Sequence, residues 1–311
     1  LHYPLRRQRQ MCIRDRISFI NLIKAKKLKN FFCLFPFLMI FFPCIFNAQV
    51  IETTREIEMS AENSTIKTRF KAPQGYRWET APTESFEDFL INFPLKPETF
   101  PLRAYRNLPL GKQYHHAAIL DIDVGEKDLQ QCADAWMRLY GEYLWLHQRY
   151  DEIEFEFTSG QKMSWNDYKK GVRTTEDNDR VKFHKTAKYS DRYANFREYM
   201  DLVFRYAGTI SLDRETVPVL KNSDIRVGDI IIKSGSPGHA VFIVGSARNS
   251  VGKRVFLLAE SYMPAQDIHI LKNPVNSRIS PWYELDINAP KLMTAKYLFA
   301  PVPIKRFKSI K

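Results

Sequence analysis

The sequence predicts an α+β fold, with helices in the amino-terminal half packed on an antiparallel sheet from the carboxyl-terminal half. Two observations point there. Residues 129–147 and 193–206 carry apolar side chains at helical spacing. From residue 229 onward the pattern switches to short apolar runs separated by Gly, Pro, Asn and Ser clusters. Helices first and a run of strands later is the signature of segregated α and β structure.

In chain order, residues 66–70 alternate like a strand and 86–93 read as a helix. Residues 117–122 form an apolar strand, 129–147 the clearest helix, and 153–157 a half-exposed strand. The polar stretch 173–179, Arg-Thr-Thr-Glu-Asp-Asn-Asp, reads as an exposed loop, and 193–206 as a second helix. Strands are expected at 229–233, 239–245, 254–260, 268–271 and 297–302.

Residues 1–48 are expected to be a leader. Lys24, Lys26, Lys27 and Lys29 form a positive block, an apolar run follows over residues 31–46, and Asn47-Ala48 supplies a small residue at the expected cut. That order is the plan of a secretory signal peptide. The run is short of the roughly 20 apolar residues that span a bilayer. Residues 7–16 resemble a translated sequencing-adapter scar. The expectation is an exported protein, periplasmic or extracellular, with 49–311 as a single globular domain and peripheral association with the envelope.

The leader dominates the charge. The chain has 47 Lys and Arg against 35 Asp and Glu, a net of +12. Nine of those bases and one acid lie in residues 1–48, so the remainder carries only +4. The basic balance is therefore no warrant for nucleic-acid binding, which needs clustered bases on one face. No Gly-rich phosphate loop is present, and no cofactor is expected. His116, His239 and His269 lack metal-ligand spacing, so no metal site is expected either. Asp121 and Asp123 make only half of a calcium loop.

Cys132 is the only thiol after residue 48. Asp128 is expected to cap the 129–147 helix, with Gln131 completing a capping box. Cys132 then lies inside the first turn, on a stripe with Leu129, Trp136, Leu139 and Tyr143. A first turn is electropositive and favours a thiolate. The same stripe is equally a place for a buried, inert cysteine.

The turn Gly235-Ser236-Pro237-Gly238 precedes an apolar strand that begins at His239. If 239–245 and 254–260 form a hairpin centred near Ser250, His239 lies opposite Ser261, with Glu260 one step away. A one-residue slip exchanges the two. Cys132 as nucleophile, His239 as base and Glu260 as orienting group would make the plan of covalent hydrolysis. Gln131, with the backbone N–H of Cys132, is placed to bind an oxyanion. Ser261, Tyr262 and Trp282 are the candidates for lining a substrate cleft.

Two resemblances follow from these residues. Asp121-Ile-Asp-Val-Gly125, Asp128-Leu-Gln-Gln-Cys-Ala-Asp-Ala135, Tyr206-Ala-Gly-Thr209, Pro237-Gly-His-Ala240 and Ser261-Tyr-Met-Pro-Ala-Gln-Asp267 resemble blocks of a bacterial family, domain of unknown function 4846. That likeness fixes no reaction. Where this chain has Glu260, Gln is expected in the corresponding block of the family. Gly228-Asp229, Gly238-His239 and the strand ending at Glu260 are similar to the histidine half of CHAP-type, papain-like cell-wall hydrolases. That second likeness implies a papain-like cysteine-hydrolase architecture and amide cleavage in peptidoglycan or a related peptide. The reading of a different class is a non-catalytic envelope protein that binds glycan or peptide in the same cleft, with Cys132 buried.

Overall fold

Nine strands join in one antiparallel sheet, and its middle is the hairpin that begins at His239. The structure, a computed structural model, describes residues 64–177 and 180–310. The expected leader therefore lies outside the described residues. The sheet strands are β1 (Tyr76–Trp78), β2 (His116–Ile119), β3 (Thr216–Pro218), β4 (Ile230–Lys233), β5 (His239–Asn249), β6 (Arg254–Glu260), β7 (His269–Leu271), β8 (Trp282–Tyr283) and β9 (Ile304–Phe307). Their order is β2-β7-β6-β5-β4-β9-β3, with β1 added along β5 and β8 along β6.

The sheet core is apolar on both faces. Ala240 to Val244 and Val255 to Ala259 are sealed from solvent. Such strands need cover on each side. Helices α1 (Phe86–Ile91) and α2 (Cys132–Leu146) pack on β5, and α3 (Tyr193–Tyr206) packs on α2. Trp136, Phe86 and Phe307 meet edge-on or tilted at the α1–α2–β9 junction, with centroids 4.8 to 5.8 Å from Trp136. Burial of rings of this size contributes about 2 kcal/mol or more each. Among the described residues no helix is long and apolar enough to cross a membrane.

The fold is thus α+β around a large antiparallel sheet, and several elements differ from the sequence reading. Residues 66–69 form one helical turn, because the Thr65 side chain accepts from Thr68 N and starts a helix. The amino-terminal half contributes two sheet strands, β1 and β2, so the sheet is not the property of one half. The polar stretch expected as a loop instead supplies the strand Val172–Asp177, paired with Arg180–Lys185. Phe157 and Phe183 lie 6.2 Å apart and give this hairpin an apolar anchor. The last expected strand is a two-residue segment, Leu298–Phe299, while the sheet takes β9 further on. At residues 66–69 the local Thr65 cap overrides the alternation.

Candidate functional site

The helix that carries the thiol starts three residues later than its pattern suggests. Gln131, not Asp128, is the N-cap, and its backbone N–H donates to Asp134 Oδ2 at 3.1 Å. Asp128 Oδ1 instead accepts from Ala265 N at 2.7 Å and from Gln131 Nε2 at 3.2 Å. Cys132 is therefore the first residue of α2, and it is partly exposed rather than sealed in the core. The N–H groups of a first turn have no partner within their helix and point their positive ends outward.

His239 opens β5, directly opposite Lys233, the last residue of β4. Gly238 before it has no room for a side chain: an added Cβ would lie 2.3 Å from Thr209 Oγ1 and 2.6 Å from the Gly235 carbonyl. The glycine in the Gly-His pair thus brings the strand mouth close to its neighbours. Phe242 pairs with Ala259, and the register shifts between Ile243 and Gly245. Continued toward the mouth, that register sets Val241 against Glu260. His239 is on the same face as Val241, so a long side chain at 260 reaches it diagonally. His239 Nε2 indeed donates to Glu260 Oε2 at 2.8 Å. The alternatives left open by the hairpin arithmetic are resolved for Glu260 and against Ser261.

The other face of the ring meets the thiol. The Cys132 side chain interacts with His239 and favours its protonated form. With Nε2 committed to Glu260, Nδ1 is the nitrogen left for the sulfur. Burial alone would lower the imidazole pKa. The Cys132 and Glu260 partners outweigh burial and push it up to about 9. Glu260 is fully buried. Burial would raise its pKa, yet His239 and His269 hold it down at about 2. Its second oxygen, Oε1, accepts no hydrogen bond and faces His269 Nε2 at 3.6 Å and Lys296 Nζ at 3.8 Å. His269 is fixed by its own Nδ1–H, which donates to the Asp267 carbonyl at 2.8 Å. Lys296 Nζ lies 3.4 Å from His269 Nε2. Rings of Tyr297, Tyr262 and Phe299 surround His239 at 4.6, 5.1 and 5.9 Å.

Two bolts bring residues 128–132 to residues 260–266. One is the Asp128–Ala265 bond above. The other is Ser261 Oγ, which lies 3.1 Å from the Gln130 carbonyl and 2.8 Å from the Gln266 carbonyl. Ser261 was expected to face a ligand. It is instead fully buried and holds the two site segments together. Trp282 was expected in the same cleft. It is 2% exposed, pairs with Leu257 away from the hairpin mouth, and stacks edge-on against Trp78 at 5.0 Å. Its indole N–H donates to the Lys71 carbonyl, so it has no surface to offer. Tyr262 does stand beside His239, and Gln131 stands at the helix start.

Asp229, the acid of the Gly-Asp pair, is a structural fastener. It accepts from Arg306 Nε at 2.7 Å and from Arg226 N at 2.9 Å, which ties β4 to β9. Lys296, Tyr297 and His269 were not assigned to the catalytic group from sequence. No spacing signal marks them, because β7 and the segment after it reach the site only through the sheet order.

The family model described as Domain of unknown function (4846) matches residues 66–306. The chain belongs to that family. No match is found among curated proteins or among solved structures. The matched span contains Cys132, His239 and Glu260, together with the Asp128 and Ser261 bolts.

Proposed function

We propose that this protein is an exported cysteine-dependent amidase or peptidase of papain-like architecture, acting on cell-wall peptide or a related amide. The observation that carries the proposal is the Cys132–His239–Glu260 chain. A helix-start thiol interacts with an imidazole whose Nε2 donates to a buried carboxylate. The expectation of a sealed, inert Cys132 is disfavoured by its partial exposure.

In this mechanism the reacting form is a thiolate–imidazolium pair, with Glu260 holding the ring in orientation. The sulfur attacks the amide carbon, and a C–S bond forms as the carbonyl oxygen takes the negative charge. The Cys132 N–H, at the start of α2, is placed to stabilise that oxygen, and one such donor is worth about 3 kcal/mol. Gln131 Nε2 contributes only by leaving Asp128. His239 then gives its proton to the amine nitrogen, the C–N bond breaks and the amine departs. Water, losing a proton to His239, attacks the thioester. The C–S bond breaks, the acid leaves and the ion pair is restored. No metal or organic cofactor enters any step.

The test is amine release from solubilised peptidoglycan peptides, followed by mass spectrometry. Release is expected from the wild type, and it is expected to vanish in Cys132→Ala and His239→Ala. Undiminished release by Cys132→Ala would overturn the proposal.

A further inference from the structure

The site adjoins a cavity of about 510 Å³, and Tyr262 is the wall they share. The charged side chains that line the cavity are of one sign only. Lys112 and Lys296 line it, together with His115, and no Asp or Glu does. Burial and the neighbouring Lys296 depress the His115 ring, and burial lowers Lys296 itself.

Lys296 stands between the site and the cavity, with its ammonium 3.4 Å from His269 Nε2. Its side chain is 16% exposed, and its ammonium lies 5.2 Å over the Tyr262 ring. The nearest carboxylate oxygen, Glu260 Oε1, is 3.8 Å away, beyond hydrogen-bond distance. The other oxygen of Glu260 is committed to His239. An anion that enters the cavity would meet this ammonium on its cavity side, beside its His269 and Glu260 partners, in a setting where water screens little. By contrast, a larger cavity of about 620 Å³ lies at the opposite end of the hairpin. There Arg248 and Arg254 already close on Glu79, at 2.7 and 2.6 Å.

We infer that the cavity binds a substrate carboxylate through Lys296 and Lys112, so that the amide presented to Cys132 belongs to a peptide with a free carboxylate near the scissile bond. This rests on the amidase reading and names its substrate class. Lys296 and Lys112 are specificity-determining residues in this scheme. Neutral or cationic amides gain nothing from the cavity.

The experiment compares alkylation of Cys132 by iodoacetate and by iodoacetamide at pH 7. Both reagents form the same kind of S–CH2 bond and expel iodide, and they differ in a carboxylate against a neutral amide. A cleft lined by one sign of charge raises the local concentration of the opposite ion by about tenfold or more. The iodoacetate-to-iodoacetamide rate ratio is therefore expected to fall about tenfold in Lys296→Met. It is expected to fall less in the exposed Lys112→Ser and to be retained in Lys296→Arg. His239 attracts iodoacetate in every variant, so the change in ratio is the readout. A ratio unmoved by both Lys296→Met and Lys112→Ser overturns the cavity assignment while leaving the amidase reading intact. If neither reagent modifies Cys132 in the wild type, the amidase reading fails and this inference fails with it.

Discussion

Replacing Glu260 by Gln tests how the carboxylate acts. Gln keeps an acceptor for His239 Nε2 and removes only the charge. In the wild type the ring sits at about 9, against an ordinary 6.5, with Cys132 and Glu260 overcoming burial. That displacement corresponds to about 3 kcal/mol in favour of the protonated ring. A close opposite charge shifts a pKa by one to three units, so Glu260→Gln is expected to lower His239 by about two, to about 7. At pH 8 the protonated fraction would drop from about nine-tenths to about one-tenth, while at pH 6 both proteins would remain mostly protonated. Two assays read this: the C2–H resonance of His239 followed by NMR from pH 5 to 10, and kcat/KM at pH 6 and pH 8. The variant should lose about tenfold at pH 8 and little at pH 6. An unmoved titration midpoint, or an equal loss at both pH values, would refute an electrostatic role for Glu260.

Other substitutions probe the supports. Gly238→Ala forces a Cβ against Thr209 and two carbonyls. It should displace His239 and cost about 2 kcal/mol of stability in urea melts, and unchanged activity would contradict the tight strand mouth. Ser261→Ala removes the hydroxyl shared by the Gln130 and Gln266 carbonyls. It should lower stability by about 1–2 kcal/mol and reduce kcat/KM together. A stable, fully active variant would show that the bolt does not position Cys132. Glu215 is raised to about 7, chiefly by burial. A raised carboxyl favours the fold below its unfolded value of 4.5 and loses that favour as pH rises through 7. Glu215→Gln should therefore raise Tm at pH 8 more than at pH 5, and an equal shift at both pH values would sink this reading.

Much of the site was legible because its chemistry sits on strong local patterns. The stripe through Trp136 and Leu139 announced α2, and the Gly238-His239 pair before an apolar run announced β5. Helix onset was not legible, because Asp128 has the right chemistry for a cap but spends its carboxylate on Ala265 N. Only the tertiary partner decides between the two uses. The same holds for Ser261 and Trp282, whose polar groups point inward to backbone carbonyls of distant segments. Lys296 and His269 reach Glu260 through the order of strands in the sheet, and no local periodicity encodes that order. The bulge between Ile243 and Gly245 likewise moved the hairpin register by one residue and settled which side chain meets His239.

The most direct measurement is the rate at which iodoacetamide alkylates Cys132 at pH 7 in the wild type and in His239→Ala, with the site mapped by peptide mass spectrometry. An imidazolium that stays protonated to about pH 9 beside the sulfur should make the wild-type thiol react at least about tenfold faster than the variant's. Equal rates in the two proteins, or a wild-type Cys132 that stays unmodified, would contradict the cysteine–histidine pair at the centre of the account.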